Sequence, residues 1–540
     1  MSMFSIGLSG LNTAQIALNT TSNNISNVYT PGYNRELAIV EQKNHGGVGV
    51  IAVQRQFDYF IASQLNGSTS TLAALDSYYS QVSQIDNLLA DQEVGLAPLM
   101  QKFFASLQAL AATPSDPAAR QGVIGAANTL TAQFRSFDSY LRDMQDGING
   151  QIGAEVAQIN NRLEQLAELN REIVVAAASQ GEAPNSLLDM RDQIVAELSE
   201  HLDVRVSIQD GLTYNIALNN GQPLVTGTRA FSLEAMASTA DPSRLVVGYN
   251  DGAGNRVELN DKVIKGGGLG GLLQFRSETL DKVQNSIGLM AVSLAVGFND
   301  QHQLGIDLNG DFGEPFFAIG SPKVFSATGN AGTAVISAAY DNIAGLTGAD
   351  YDIRVVDAAT GELAITRRDS GETFTGTLDG SGQLAFAGVE LTVDDPALLA
   401  DGDSFQLQPT RLAAAEMDNL IHDTGKIAAA GPGGASGDNR NALALQDLQN
   451  AKLVGGRASL NQSYASLVGD VGIRTNIVGV NRAAQAGFTA QLQVAQQSLS
   501  GVNLDEEAAN LIRYQRYYQA NAKTIEVASI LLDTILGLRA

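Results

Sequence analysis

Both ends of this 540-residue chain carry an apolar seam at helical spacing that nothing nearby in sequence can cover, and this constrains the fold more than any other feature. Near the N-terminus Phe4, Leu11, Leu18 and Ile25 recur every seven residues, with Gly7, Ala14, Thr21 and Val28 three positions further on. Such spacing marks one face of a helix. The remaining faces hold Asn12, Thr13, Asn19, Thr20, Ser22, Asn23 and Asn24, which are mediocre helix formers, so the segment alone is expected to be mostly unfolded. At the other end Leu504, Leu511, Tyr518, Ile525 and Leu532 are spaced by seven, with Ala508, Gln515, Ala522, Ser529 and Leu536 four residues after each. Asn503 is a good N-cap, Glu506 stands at the capping-box position, and Asp505, Glu506 and Glu507 put negative charge on the positive end of the helix dipole. Gly537 fits a stop signal. A helix from Leu504 to Leu536 would be about 50 Å long, and a single seam on so long a helix needs a partner helix.

Charge divides the chain in the same way. Its 33 Lys and Arg against 57 Asp and Glu give −24, which argues against a general affinity for nucleic acid or an anionic membrane. Residues 1–60 hold three basic and three acidic groups and residues 501–540 hold four and five, so −23 falls on the stretch between. The ends are nearly neutral and the middle is acidic. No Cys is present, which excludes disulfides, thiolate zinc sites, iron–sulfur ligation and cysteine nucleophiles. No run approaches 18 consecutive apolar residues, so membrane insertion is not expected. The first 34 residues lack the basic and unbroken apolar regions of a secretory signal, and the expectation is a chain that is cytoplasmic or exported without a cleaved leader.

Between the ends the length allows three to four domains. Residues 70–180 are patterned as helix, with a turn at Pro114 and Pro117. Ile152, Val156, Ile159, Leu163, Leu166, Asn170, Ile173 and Ala177 alternate by four and three up to a turn near Pro184, consistent with a bundle helix or a coiled coil. A helix over Leu187–Leu202 leads into Val204–Ile208 and Leu212–Leu218, whose alternation around Asp210-Gly211 predicts a hairpin. A strand pair at 245–249 and 256–259, a Gly-rich break and a helix over 272–298 follow. Residues 321–405 read as a separate all-β insert, with alternating runs at 351–356, 362–366 and 389–393. GPGGASGDN at 431–439 reads as a linker before helical patterning resumes at Asn441. The fold class expected is α+β and multidomain: a long helical or coiled-coil bundle built from both chain ends, with β-rich domains inserted in the middle. The division drawn is 1–35 with 504–540, terminal segments disordered in the monomer; 36–180 with 440–503, a helical bundle; 181–320 with 406–439, mixed; and 321–405, the insert.

Motifs that carry chemistry are sparse. Gly266-x-Gly268-x-x-Gly271 matches the dinucleotide fingerprint but lacks a parallel strand on either side, so it reads as a flexible inter-domain turn. Asp307, Asn309 and Asp311 open like a calcium loop, yet Phe312 stands where the loop needs Gly and Ala318 where it needs Glu, which leaves a polar turn. His45, His201, His302 and His422 have no metal-ligand spacing. No catalytic, cofactor or metal site is expected, and the chain reads as a non-enzyme.

The segment Ser22–Tyr33, SNNISNVYTPGY, resembles the N-terminal signature of the bacterial flagellar rod, hook and hook-associated proteins, and Asn503–Leu538 is similar to their C-terminal signature. SLLDMRDQIVAELSEHLDV from Ser186, GGGLGGLLQFR from Gly266, FNDQHQLGIDLNGDFGEPFF from Phe298 and GDNRNALALQDLQ from Gly437 resemble the hook-associated members that join hook to filament. The resemblance implies an extracellular structural subunit of the flagellum, exported unfolded through the flagellar type III apparatus, with terminal segments that become paired helices in a tube. It implies self-assembly into a ring-like helical layer, with the hook protein, the third hook-associated protein and an export chaperone as partners. On this reading Phe4, Leu11, Leu18 and Ile25 pack with Leu511, Tyr518, Ile525 and Leu532 as the assembly interface. Two alternatives stay open: another axial protein, such as the hook subunit or the third hook-associated protein, and a secreted adhesin or enzyme with its site in the 321–405 insert.

Overall fold

A computed structural model describes residues 3–44, 46–91, 95–180, 183–209 and 213–537. Helix α1 (Met3–Ser26) is followed by a hairpin of β1 (Glu36–Gln42) and β2 (Val48–Arg55) and then by α2 (Tyr59–Leu89), α3 (Leu96–Ala112), α4 (Pro117–Gln180) and α5 (Asn185–His201). Strands β3 (Arg205–Gln209), β4 (Thr213–Ala217), β5 (Pro223–Thr226) and β6 (Arg229–Ala230) form one antiparallel sheet, and β7 (Leu233–Ala237), β8 (Leu245–Asn250) and β9 (Arg256–Glu258) a second. Helix α6 (Gly267–Phe275) runs through one π-turn (Arg276–Leu280) into α7 (Asp281–Gln303). After β10 (Phe317–Ala318) the insert contributes β11 (Lys323–Ser326), β12 (Ile336–Tyr340), β13 (Tyr351–Asp357), β14 (Glu362–Arg367), β15 (Thr373–Thr377), β16 (Gln383–Phe386), β17 (Val389–Val393) and β18 (Ser404–Gln408). Strand β19 (Asp418–Asn419) returns to β10, and α8 (Arg440–Asp447), α9 (Leu460–Ser500) and α10 (Leu504–Gly537) complete the chain. Long terminal helices bracket a β-rich middle, which is the α+β architecture expected.

The spine is α4, 64 residues long and therefore about 95 Å from end to end. Its seam continues upstream of the expected run through Phe134, Phe137, Leu141 and Ile148, all buried, before reaching Ile152, Ile159, Leu163, Leu166 and Ile173. The second half of the seam packs on the two small sheets and on α5, so the choice between bundle helix and coiled coil resolves to a helix laid across sheets. Asn170 shows why a polar residue occupies a seam position. Its Nδ2 donates to the carbonyls of Tyr214 and Gly227 at 2.8 and 2.7 Å, and its Oδ1 accepts from the Tyr214 N–H at 3.2 Å, joining helix to sheet.

Four expectations change. Residues 36–55 form a β-hairpin and not part of a helical bundle; the alternation in ELAIV and VGVIAV was the available signal. The boundary at 180/181 does not separate two domains, because α5 packs directly on α2 and α4, and α6 on α2. The Gly-rich stretch is no flexible turn: Gly267–Gly271 are buried first turns of α6, and glycine is required for close approach. Gly267 has φ +68°, and a Cβ on Gly271 would overlap the Ala74 carbonyl of α2. Residues 431–439 are a folded loop rather than a linker, since Asp438 accepts from the Gly431 N–H at 3.1 Å and Asn439 donates to the Ala111 carbonyl at 2.7 Å. The hairpin of β3 and β4 forms in the expected register, while its turn lies outside the described residues.

The insert is two antiparallel sheets, ordered β11-β18-β13-β14-β15 and β12-β17-β16. On β13, Tyr351, Ile353 and Val355 point inward while Asp352, Arg354 and Val356 face solvent. A buried ionic network fastens the insert to α7. Asp281 accepts from Arg244 Nη1 at 3.0 Å and from Arg411 Nη1 at 2.9 Å, and Arg411 also pairs with Asp350. Burial, with Asp281 nearby, pushes the Asp350 carboxyl upward. Asp307 Oδ1 accepts from the N–H groups of Asn309 and Asp311 at 2.7 and 3.0 Å, so this segment closes as a polar turn.

His302 is buried with Nδ1 donating to the Glu314 carbonyl at 2.7 Å and Nε2 accepting from the Ala428 N–H at 3.0 Å, an arrangement that requires the neutral ring. Desolvation lowers its pKa to about 4. Because the folded value lies below the unfolded one, its contribution is complete above about pH 6.5 and is lost as pH falls toward 4, by roughly 3 kcal/mol. Urea denaturation of the wild type and His302→Gln between pH 7 and 4 checks this: the wild-type midpoint should fall more steeply than that of the variant. Gly271→Ala should destabilise by about 3 kcal/mol in the same assay, since the added methyl meets backbone that cannot move aside.

Candidate assembly interface

The chain ends meet as an antiparallel helix pair. Gly7 lies beside Ile525, Gly10 beside Asn521, and Asn24 beside Glu507. The buried residues of α1 are Gly7, Gly10, Ala14, Ala17, Thr20, Thr21 and Asn24. Their spacing by three and four is a heptad seam made almost wholly of small side chains, which lets the two backbones approach closely. A Cβ on Gly7 would come within 2.9 Å of Ile525 Cγ1, and one on Gly10 would overlap the Asn521 side chain.

This corrects the expected pairing of large residues with one another. Phe4, Tyr518 and Leu532 are exposed, and Leu11, Leu18, Ile25, Leu511 and Ile525 are half-buried at the margins of the seam. Of these, Ile525 stands directly against Gly7 of the opposite helix. Two bulky seams would have held the helices apart, whereas glycine and alanine close the gap and leave the bulky residues pointing outward. Met3, Ile6, Leu8 and Ile16 of α1 are exposed for the same reason, as are Ile512, Tyr517, Ile530, Leu531, Ile535 and Leu536 of α10. Gly7, Ala14 and Thr21 of the small-residue heptad are legible in the sequence; that they, and not the large residues beside them, form the contact follows from how closely the two backbones approach.

The pair is anchored at one end by a polar cluster. After α1 ends at Ser26, residues 27–33 form a turn in which Thr30 Oγ1 donates to Asn27 Oδ1 at 3.1 Å and Gly32 takes φ +78°. This brings Tyr33 back onto Asn24, whose Oδ1 accepts from the tyrosine hydroxyl at 2.7 Å and from the Glu36 N–H at 2.9 Å. Asn24 Nδ2 donates to the Glu36 carbonyl at 2.9 Å and to Glu507 Oε2 at 3.2 Å. Arg35 Nε donates to Glu507 Oε1 at 2.8 Å, its Nη1 to Glu506 Oε2 at 2.8 Å, and its N–H to the Ser500 carbonyl at 2.8 Å. Glu507 is 1% exposed, so its charge is held entirely by Arg35 and Asn24. Burial, reinforced by Glu36, Asp189 and Glu507, pushes the Tyr33 hydroxyl pKa upward and keeps it a donor. Asn503 caps α10 by accepting from the Asp505 and Glu506 N–H groups at 3.0 and 3.3 Å, but Glu506 turns to Arg35 instead of closing a capping box. Next along the chain, Asn34 donates to Asp189 on α5 from Nδ2 at 2.6 Å and from its N–H at 3.1 Å, and Arg55 pairs with the same carboxylate at 2.9 Å. The terminal pair is thereby tied to the hairpin and the helical body.

Four family descriptions match successive stretches of the chain: "Flagella basal body rod protein" over residues 4–34, "Flagellar hook-associated protein FlgK helical domain" over 82–317, "Flagellar hook-associated protein 1, D2-like domain" over 325–409, and "Flagellar basal body rod FlgEFG protein C-terminal" over 484–538. The terminal helix pair and these matches define a structural protein of the bacterial flagellum. Flagellar hook-associated protein 1 of Escherichia coli (strain K12) is 45% identical over the full length of both chains, and that of Bacillus subtilis (strain 168) is 23% identical over 98% of this chain and 96% of its own. The solved structure of the flagellar hook junction protein FlgK from Burkholderia pseudomallei superposes with a TM-score of 0.76 at 27% identity, covering 81% of this chain and all of that one. The chain belongs to the flagellar hook-associated protein 1 family. Among the described residues no helix is long and apolar enough to cross a membrane.

Because Glu507 is buried and Glu506 is not, the two neighbouring acids should respond differently to substitution. Arg35→Ala, which strands the Glu507 charge, should weaken docking of the terminal pair by about 3 kcal/mol, and Glu506→Ala by less than about 1 kcal/mol. Limited proteolysis of isolated flagella checks this: cleavage within α1 and α10 should accelerate strongly for the first variant and barely for the second.

Proposed function

We propose that this chain is a structural subunit of the junction between flagellar hook and filament, assembling through its two terminal helices and acting as a building block rather than a catalyst. One observation carries the reading: α1 and α10 close on each other through glycine and alanine while many of their large apolar side chains stand in solvent and others stay half-buried. A single subunit gains little from such a pair, because small side chains bury little apolar area. Neighbouring subunits supply the missing cover, and heterologous contacts of this kind generate an open helical layer. In that layer Phe4, Leu11, Leu18, Ile25, Leu511, Tyr518, Ile525 and Leu532 meet adjacent copies. The uncharged α1 lets copies of a chain with net charge −24 pack without repulsion.

In the free monomer the two ends are disordered and fold together on assembly. The helical body forms an outer layer and the acidic insert projects into solvent. The hook protein lies on one side of the junction layer and the third hook-associated protein on the other. The subunit reaches that place through the flagellar type III export apparatus, with an export chaperone as its partner beforehand.

Deleting the gene should leave hooks without filaments, with filament protein shed into the medium, as seen by electron microscopy and immunoblotting. Hydrogen exchange supplies the second test. Amides of residues 3–26 should exchange within seconds in the monomer and be protected in isolated flagella; protection in the monomer would sink folding on assembly. Deleting residues 325–409 should still allow filaments to form, which motility on soft agar measures.

A further inference from the structure

Helix α9 buries one face and exposes an apolar stripe on the other. Its inner face sets Tyr464, Leu467, Val471 and Leu492 into the subunit, with α2 as its main neighbour. On the opposite side Ile473, Ile477, Val480 and Val494 are at least half exposed, and Phe488 and Leu499, equally exposed, lie at the edge of that face. Positions 473, 477, 480, 484 and 488 follow the three-four spacing of a single helical stripe, and from Ile473 to Leu499 it runs about 40 Å. Charge is missing from the same surface. From Thr475 to Ser500 the one charged residue is Arg482, and it is engaged by Asp76 of α2 and lies 5.2 Å over the Tyr79 ring. The spine α4 of the same bundle carries 12 charged residues in 64, so an uncharged outer face is not a general property of these helices.

We propose that the outer face of α9, from Ile473 to Leu499, is a lateral docking surface for a second copy of this chain; the proposal rests on the axial reading above. Charge selects the occupant. A cationic partner would be drawn to the acidic middle of the chain, whereas another copy, itself at −24, can approach closely only where neither surface carries net charge. Position points the same way. The stripe ends at Leu499, and after Gly501–Asn503 the exposed apolar residues resume on α10 at Leu504 and Ile512, so a subunit lying against α10 extends onto α9.

The test places photoreactive benzoylphenylalanine at Ile477 or Val494 of the full chain, irradiates isolated flagella, and identifies adducts by mass spectrometry. The expected adduct joins two copies of this chain. An adduct with any other flagellar protein, or none, overturns the proposal. The same probe at Ile530 of α10 separates the two readings: adducts from α10 with α9 silent sink this surface alone, and silence at both positions counts against the axial assembly itself. Ile477→Asp with Val480→Asp should keep the monomer's Tm, since both side chains are exposed, and lower the copies retained per flagellum at least about tenfold. Unchanged retention, or a fallen Tm, overturns the proposal as well.

Discussion

Burial of the Glu507 carboxylate is the constraint on which the architecture of the chain ends depends. A carboxylate taken out of water is tolerable only when donors surround it, and here they come from two places distant from it in sequence: Asn24 near the end of α1 and Arg35 at the start of the hairpin. Each donor is in turn held by something else. Asn24 is shared with Tyr33 and Glu36, and the Arg35 backbone bonds to Ser500 and Gln56. The turn in Ser22–Tyr33 therefore has a physical purpose: it returns the chain so that Tyr33 and Arg35 reach the base of the helix pair. Its asparagines and threonine are the residues best able to bond to nearby backbone in such a turn.

Away from that anchor the pair is held by closeness rather than by bulk. Small residues in the seam minimise the gap between helices and maximise what is left over on the outside. A subunit designed to be stable alone would do the reverse. The body follows the ordinary logic, with α4 as a long spine, sheets and helices laid along its seam, and glycines at α6 and at Gly288 of α7 admitting neighbouring backbone. The insert is fixed to α7 by Arg244, Asp281, Arg411 and Asp350, charges that are costly to bury singly and acceptable as a closed set. The chain thus joins a self-sufficient body to ends that are incomplete until covered.

Much of this was legible. The helices of both ends, the turn at Pro114–Pro117, the seam through Ile152–Ile173, the hairpin of β3 and β4 and the alternation of β13 all follow from period and turn chemistry. What misled was composition read without packing. By composition the run at Gly266 reads as flexible, because glycine frees an isolated backbone, yet in the folded chain the same absence of Cβ lets α6 lie against α2. GPGGASGDN has the composition of a linker, yet Asp438 and Asn439 tie it down. The hairpin at 36–55 shows in the sequence only as short alternation in ELAIV and VGVIAV between longer helical patterns.

The sequence by itself determined that two neutral, amphipathic ends must find partner helices, that no cysteine or metal chemistry was in prospect from its motifs, and that β-rich segments lie between. Local periodicity and charge suffice for that, because they depend on residues within a few turns of each other. Only the tertiary structure decided which face of each end turns inward. That choice rests on how closely two backbones can approach, and so on Gly7, Gly10, Ala14 and Ala17 meeting α10 from some 500 residues away. The large apolar residues that announced the seam in sequence are consequently left on its outside.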